Sequence, residues 1–262
     1  MSCGATHTKM TIAPDNVVYT AEAVIDLINL GYTQINANCV FENVWRQGHA
    51  TILYYQLKTV ADYLLDNGLH DKVFVSLFQE FIGCPIPEQD NQNWCGGLGY
   101  MLAVDWKGDI YPCIRYMPDS VGEEVAPLII GTVDGGILAM DKQRGVVEVM
   151  SKVTRRSQST DECFNCPIAR GCAWCSAYNY QETGSVDKRV TYICEMHKAR
   201  VLANIYYWNK LFKKKGENKV FQNNVPEDWA LAIIDRDELD ILNGLTHFDG
   251  MTGESYETLT VQ

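Results

Sequence analysis

Four cysteines crowd into one short stretch of this chain. Residues 161–175, DECFNCPIARGCAWC, hold Cys163, Cys166, Cys172 and Cys175, and the 262-residue chain has ten cysteines in all. A secreted protein stapled by disulfides is usually shorter and begins with a secretion signal, but MSCGATHTKM lacks the basic flank and apolar run of such a signal. In a reducing compartment, clustered thiols more often bind metal. The stretch therefore predicts a metal site in a cytoplasmic protein.

The cysteine pattern extends to both sides of this stretch. Cys95 is followed after twelve residues by Gly108, and Gly108 after four residues by Cys113. Cys194 lies downstream, at the start of a predicted long helix, and Cys84 lies upstream in a segment rich in turn-forming residues. Eight thiolates are enough for two sites with four ligands each.

Two kinds of metal centre take thiolate ligands at such spacings. Paired CxxC units separated by a loop are typical of structural zinc sites. The five residues between Cys166 and Cys172 are few for the two halves of a zinc ribbon, and closely packed thiols are common around four-iron clusters. The residues by themselves favour iron-sulfur and leave zinc open.

The first 82 residues alternate between strand and helix patterns. This order with short connections predicts parallel strands joined by right-handed crossovers. Three strands and two helices are few for a free-standing parallel sheet with both faces covered, which indicates part of a larger α/β unit. The predicted elements are strands at 9–14, 33–41 and 72–78 and helices at 15–32 and 50–69.

The rest of the chain predicts a β-hairpin, a mixed segment and a long helix. The hairpin, at 101–113, turns at Lys107-Gly108, where glycine permits a tight turn. The acidic C-terminal segment is expected to hold one short helix and a loosely held tail. Apolar spacing predicts a strand at 127–133 and helices at 136–153, 190–215 and 228–242.

The order Cx12Gx4C, then CxxCx5CxxC, then a final cysteine resembles the SPASM domain. That domain is the C-terminal auxiliary-cluster domain of radical S-adenosylmethionine enzymes that modify peptides and proteins. The resemblance covers residues 84–210. Before the last cysteine of the loop, the family has three residues where this chain has two, Ala173 and Trp174.

This resemblance implies two auxiliary [4Fe-4S] clusters and assigns their ligands. Cys95, Cys113 and Cys175, here called group I, would hold cluster I together with Cys84. Cluster assembly would be part of folding, since the ligands tie the hairpin, the cysteine-rich loop and the long helix together. Cluster II would bind to the set here called group II, which is Cys163, Cys166, Cys172 and Cys194.

Residues 1–83 resemble the second half of the partial (β/α)6 barrel of the same enzymes, in the stretches THTKMTIAP and INANCVFENVW. The family's CxxxCxxC loop, which holds the catalytic cluster and binds S-adenosylmethionine, does not occur in the sequence. We therefore expect a truncated product or a half-enzyme whose N-terminal half-barrel comes from a separate chain. S-adenosylmethionine would bind only in the complete enzyme or complex.

The predicted fold class is α/β: half of a partial (β/α)6 barrel in 1–83, an α+β SPASM-type iron-sulfur domain with a β-hairpin and a long C-terminal helix in 84–215, and an acidic extension in 216–262. The resemblance implies a role in modifying a ribosomally made peptide, in a chain that by itself does not cleave S-adenosylmethionine. A zinc-stabilised, non-catalytic interaction module is the alternative. A degenerate relative that presents a peptide to a complete enzyme is a third hypothesis.

The charge of the chain narrows the choice of partners. A formal charge of −11 opposes non-specific binding to nucleic acid or to anionic lipid. No run of eighteen uncharged apolar residues predicts a membrane span. Two basic islands, Arg155-Arg156 and Lys213-Lys214-Lys215, are interpreted as solvated surface. We expect a peptide partner and neither nucleic acid nor membrane.

Several polar residues outside the cysteine groups are candidates for lesser roles. Glu42 and Trp45 follow a predicted strand, and α/β enzymes place their sites at such strand ends. The same argument applies, more weakly, to Lys9 and Glu80.

Residues next to the predicted ligands are a second set of candidates. Arg115 and Tyr116 follow Cys113 and are candidates to line a substrate channel. His197, one helical turn after Cys194, is interpreted as a surface histidine, with a Cys-His zinc pair as the alternative. Of the isolated cysteines, Cys39 is predicted to be a buried, inert thiol and Cys3 to have no role.

Overall fold

The chain is a mixed α/β protein in which helix outweighs strand. The computed structural model describes residues 7–93, 95–98, 101–137 and 147–247. Within these ranges the strands form two small sheets, one parallel and one antiparallel, and neither closes into a barrel. None of the described helices combines the length and the apolar composition needed to cross a bilayer.

The parallel sheet has the predicted β-α-β-α-β connectivity. β1 (His7–Ile12), β2 (Gln34–Cys39) and β3 (Phe74–Val75) lie side by side in that order. β3 is shorter than predicted because the Ser76 hydroxyl bonds the backbone N–H and C=O of Ala37, at 2.8 and 3.1 Å, where the strand would have continued. The parallel pairing itself is confirmed.

The two faces of this sheet differ in polarity. Helices α1 (Thr20–Asn29) and α2 (His49–Asp66) connect the strands and share their core with Ile12, Ile35 and Cys39. Side chains alternate across a strand, so the opposite face carries the intervening residues. That face is polar and largely open to solvent: His7, Lys9, Thr11, Gln34, Asn36 and Asn38.

The antiparallel sheet begins with the predicted hairpin. Its turn contains Gly108 at φ +85°, the left-handed conformation that favours glycine. Its strands, in spatial order, are β4 (Ala103–Val104), β5 (Asp109–Tyr111), β6 (Gly131–Thr132) and β7 (Gly136–Ile137).

The segment after β6 differs from its sequence prediction. The predicted helix at 136–153 begins instead as strand β7, because Gly136 at φ +76° closes a tight turn on β6. Residues 138–146 of that prediction lie outside the described residues, and 147–151 are helical. The predicted strand at 127–133 shrinks to β6.

The helices of the second half include the long one that the sequence predicts. It begins four residues later than predicted, and it packs chiefly against α2 and also against the last two described helices. The helices are α3 (Arg155–Gln158), α4 (Asp161–Phe164), α5 (Ser176–Thr183), α6 (Cys194–Lys215), α7 (Glu227–Leu231) and α8 (Arg236–Thr246).

The C-terminal segment differs from the single short helix predicted at 228–242. Where one helix was predicted there are two, and Asp235 starts the second by accepting a hydrogen bond from the Glu238 N–H at 2.8 Å. Glu238 is buried and binds the Lys58 ammonium at 2.5 Å and the Tyr54 hydroxyl at 2.5 Å, which ties α8 to α2. Residues 248–262 lie outside the described residues.

The described residues form two hydrophobic cores. The larger one joins the parallel sheet to α1, α2, α6, α7 and α8. The smaller one lies under the antiparallel sheet and contains Tyr111, Cys113, Tyr116, Met150 and Val153. The long helix α6 therefore packs with the parallel half of the molecule. Its first residue, Cys194, lies near Cys163 and Cys172 of the cysteine-rich loop.

Candidate metal centre

Group II is assembled by a series of tight turns. Cys163 lies in α4, whose first turn is capped by Thr160, since the Thr160 hydroxyl accepts a hydrogen bond from the Cys163 N–H at 3.2 Å. The Ala169 N–H donates to the Cys166 carbonyl at 3.2 Å, and the Cys172 N–H to the Ala169 carbonyl at 3.1 Å. These turns bring the loop back on itself, beside the start of α6.

The thiols of group II affect one another electrostatically. Burial raises the pKa of Cys194 to about 12, and the neighbouring Cys172 and Cys163 thiols add to that rise. Burial also raises the pKa of Cys166, with a further contribution from Cys163. All four predicted ligands of cluster II therefore lie in one neighbourhood, although Cys194 is far from the others in sequence.

Positive side chains surround group II. The Arg189 guanidinium donates from Nη2 to the Cys172 Sγ at 3.1 Å. Burial raises the pKa of Cys172, and Arg189 and Arg200 oppose the rise. Arg200 is fixed because it also donates to the carbonyls of Leu77 at 3.0 Å and Ser76 at 2.9 Å.

Group I forms where the hairpin meets α5. The Gly97 backbone passes so close to it that a Cβ there would lie 3.3 Å from the Cys113 Sγ and 3.6 Å from the Cys95 Sγ. The Cys95 Sγ lies 3.3 Å from the Ser176 hydroxyl. Burial raises the pKa of Cys113, and the Cys175 and Cys95 thiols contribute. The three members of group I are thus neighbours.

An ion pair adjoins group I. The Arg115 guanidinium lies 2.8 Å from the Glu42 carboxylate, which follows β2. Burial raises the pKa of Cys175, and Arg115 opposes this rise. The Asn43 N–H donates to the Tyr178 hydroxyl of α5 at 3.1 Å. The carboxyl end of the parallel sheet is therefore joined to group I.

Cys84 is held through its backbone. Its carbonyl accepts a hydrogen bond from the Arg170 N–H at 2.9 Å, and the Gly83 N–H donates to the Arg170 carbonyl at 3.0 Å. This short ladder attaches Cys84 to the loop between Cys166 and Cys172. The assignment of Cys84 to cluster I stays a prediction.

A cavity of about 400 Å³ lies between the two groups. Cys95 of group I and Cys163 and Cys172 of group II line it, as do the side chains of Arg155, Arg170 and Arg189. The interpretation of Arg155 as solvated surface is wrong. Arg155 is buried and donates to the carbonyls of Asp90, Phe164 and Pro87 at 2.9, 2.8 and 3.0 Å, which holds the segment before Cys95 against α4.

The described thiols do not converge on a point. No three Cys, His, Asp or Glu side chains in the described ranges come close enough together to hold a single metal ion. A tetrahedral zinc site with bonds of about 2.3 Å requires sulfur atoms about 3.8 Å apart. Four thiolates that bind four different iron atoms of one cluster stand further apart.

The strand-end candidates have different outcomes. Glu42 is brought to Arg115 and to the edge of group I. Trp45 is a loop anchor, since its indole N–H donates to the Val40 carbonyl at 2.9 Å. Lys9 is exposed on the open face of the parallel sheet, and Glu80 pairs with Lys219 at 3.3 Å on the surface.

The candidates beside the ligands are also separated by the structure. Tyr116 is fully buried and donates to the Ser176 hydroxyl at 2.9 Å, so it supports group I instead of lining a channel. His197 is buried, not on the surface, and its Nε2 lies 2.7 Å from the Ile168 carbonyl, which occupies that nitrogen. Cys39 is buried as predicted, and burial raises its pKa to about 12. Cys3 lies outside the described residues.

Sequence reasoning missed Arg189, Gly97 and Ser176. Arg189 stands in the polar run DKRV, which indicates surface, and no spacing rule relates it to Cys172. Ser176 directly follows Cys175, and that adjacency was the only signal for it. Comparison with protein-family models and with curated proteins gives no match.

Proposed function

We propose that this chain is an iron-sulfur protein of the radical S-adenosylmethionine/SPASM type, in which group II holds one [4Fe-4S] cluster and group I, with Cys84, holds another. One observation carries the proposal. The set of cysteines that the spacing pattern assigns to cluster II is the set whose thiols share one electrostatic neighbourhood. Cys194 joins that set from a separate helix, which chance clustering within a short loop would not achieve.

The cysteine spacing supports a cluster over a single zinc ion. Neighbouring thiols of each group contribute to the raised pKa of Cys113 and of Cys194. The five residues between Cys166 and Cys172 are few for the two halves of a zinc ribbon, and closely packed thiols are common around four-iron clusters. When bound, such clusters supply one-electron oxidation and reduction.

The residues around each group prepare a site for a thiolate-bound centre. Gly97 leaves the space beside Cys95 and Cys113 that a side chain would fill. Arg189 donates to the Cys172 sulfur, a contact that would stabilise a thiolate ligand there. Ser176 is a polar neighbour of the Cys95 sulfur, and Tyr116 orients its hydroxyl.

The parallel half supports a partial (β/α)6 barrel. Parallel sheets normally have both faces covered, but one face of this sheet is polar and open. A barrel would turn that face toward its lumen. Within the described residues β1 is paired on one side alone, so further strands with the CxxxCxxC loop that binds S-adenosylmethionine, from a separate chain or from a longer form of this one, would continue the sheet there.

The proposed role is the modification of a ribosomally made peptide in the cytoplasm. Glu42 and Arg115 would meet the peptide, because they lie where the carboxyl end of the parallel sheet adjoins group I. Within this chain alone the role is cluster binding and peptide docking.

Iron and acid-labile sulfide content of group-specific variants tests the proposal. After anaerobic reconstitution the full chain should hold about eight iron and eight sulfide, and the double variant Cys163→Ser/Cys166→Ser about four of each. Cys39→Ala, a matched change at a buried thiol outside both groups, should keep the full content. About two zinc per chain and no sulfide would refute the proposal and establish the zinc-stabilised module.

A further inference from the structure

The two cysteine groups differ in the charge that surrounds them. The Arg189 guanidinium lies against the Cys172 sulfur at 3.1 Å, and no described carboxylate forms an ion pair with it. Arg200, which acts on the same thiol, is half-buried and donates to backbone carbonyls, again with no ion pair among the described residues. Group II therefore lies beside two positive charges that no paired carboxylate offsets.

Three acids lie within two residues of group II cysteines in the sequence, Asp161, Glu162 and Glu195, and all three are exposed. Asp161 is largely exposed and pairs with Arg156 at 2.9 Å. Glu195 is half exposed and pairs with Lys198 at 2.6 Å. Water screens exposed charges, and Asp161 and Glu195 already have their own cations. Arg189 and Arg200 act on Cys172 as positive charges.

Group I has one arginine, and a carboxylate offsets it. Arg115 lies 2.8 Å from Glu42, which offsets its charge in part, while the arginine still lowers the pKa of Cys175. The remaining polar neighbours of group I are the uncharged hydroxyls of Ser176 and Tyr116. The two groups thus offer the same kind of ligand in different fields.

The field at a cluster acts on its reduction potential. Net charge and hydrogen bonds to the ligand sulfurs are among the quantities that set this potential. Reduction adds one negative charge, which an adjacent guanidinium stabilises, and a hydrogen bond to a thiolate is stronger when the donor is charged. A donor such as Arg189 therefore favours the reduced state.

We propose that Arg189, through its hydrogen bond to Cys172, makes cluster II the more easily reduced of the two clusters. The inference rests on the proposed function, since it needs both clusters. It assigns Arg189 as a positioning residue that acts through a ligand, and it gives the two groups unequal roles as electron acceptors.

Potentiometric titration of the anaerobically reconstituted full chain, followed by electron paramagnetic resonance, tests the inference. The wild-type chain should reduce in two steps. In Arg189→Gln the step at higher potential should move down by a tenfold change in the equilibrium constant, which is 59 mV for a one-electron couple, while the other step stays in place. Arg189→Lys, which keeps the charge but loses the guanidinium shape, should shift it less.

Arg170→Gln is the matched control. Arg170 lines the same cavity as Arg189 but makes no hydrogen bond to a described thiol, so both steps should stay in place. An equal shift in Arg170→Gln would overturn the inference, because general cavity charge and not the Cys172 contact would then set the potential. Unchanged steps in Arg189→Gln would overturn it as well.

Iron and sulfide content separates this inference from the proposed function. A wild-type chain without iron refutes both. A wild-type chain with its full iron and an unmoved potential in Arg189→Gln refutes the inference and leaves the proposed function intact. If Arg189→Gln and Arg189→Lys both lose the iron of one cluster, Arg189 serves assembly, and the inference about potential is wrong.

Discussion

Group I and group II are both made of cysteines, but their surroundings differ. Group II lies in a loop of tight turns and at the first residue of α6, beside two arginines that form no ion pair with a described carboxylate. Group I lies at a small antiparallel sheet, among hydroxyls and an Arg115–Glu42 ion pair. The difference teaches that a cysteine motif specifies which thiols meet, while residues that belong to no motif determine the field in which they meet.

The largest expected effect is on the free energy of unfolding, and it comes from a glycine beside group II. Gly171, next to Cys172, has φ +81°, and a Cβ there would lie 2.2 Å from the Ile82 Cγ2. Gly171→Ala should lower the free energy of unfolding by about 3 kcal/mol, through left-handed strain plus overpacking. Denaturant unfolding of the apoprotein measures this.

Gly184→Ala is the control for that experiment. Gly184 ends α5 at φ +72°, and a Cβ added there would have no atom within 4 Å. The variant should lose about 1 kcal/mol, from conformational strain alone. Equal losses in the two variants would show that the close packing of Gly171 on Ile82 contributes nothing.

A pH effect of similar size should be confined to the group II side. Burial lowers the pKa of His197 to about 4. A depressed pKa gives stability that is complete above the unfolded value of about 6.5 and is lost as pH falls toward 4, by about 3 kcal/mol. Unfolding at pH 7 and pH 4.5 should reveal this loss in the wild-type chain and a smaller one in His197→Gln.

The exposed His247 supplies the comparison for His197. His247→Gln should retain the wild-type pH dependence, because that side chain is open to solvent. If His197→Gln loses as much unfolding free energy in acid as the wild-type chain does, groups other than His197 cause the pH dependence. The group II side would then not differ from the group I side in its response to pH.

A side chain added at Gly97 should slow cluster binding at group I and leave group II unchanged. In Gly97→Ala the new Cβ would press on the Cys113 and Cys95 sulfurs at 3.3 and 3.6 Å. The neighbours must yield by a few tenths of an ångström, which should cost about 1 kcal/mol. Reconstitution should then fill cluster I more slowly and cluster II at the wild-type rate, as followed by iron uptake. Slowed uptake at both would contradict the independence of the groups.

The smallest effect concerns the neutralised arginine. Glu42→Gln removes the carboxylate that offsets Arg115 while keeping the shape of the side chain. The pair is partly exposed, so solvent weakens its effect on cluster I. The reduction potential of cluster I should rise by an amount that corresponds to a severalfold change in the equilibrium constant, which is less than the tenfold change expected for Arg189→Gln. A redox titration measures it. A fall in the potential of cluster I would contradict the prediction that the positive charge of Arg115 favours the reduced state.

Sequence reasoning reached the periodic elements and the thiol pattern. The parallel order of β1, β2 and β3 follows from amphipathic alternation with short connections, and the hairpin turn follows from Gly108. The cysteine spacing predicted that Cys194 would join the loop, and their thiols are neighbours.

The remainder depends on contacts between distant residues. Arg155 was interpreted as surface because charge in a sequence does not reveal the three carbonyls, from 87–90 and 164, that accept its hydrogen bonds. The burial of the C-terminal helices depends on Lys58 and Tyr54, which meet Glu238 across about 180 positions of chain. Local propensity cannot register either partner.

Native mass spectrometry of the anaerobically reconstituted full chain tests the central claim most directly. The account predicts a mass higher than that of the apoprotein by two [4Fe-4S] units, and by one unit in Cys163→Ser/Cys166→Ser. A mass increase equal to two zinc ions would contradict the account. So would a wild-type chain that holds a single cluster and keeps it in Cys163→Ser/Cys166→Ser.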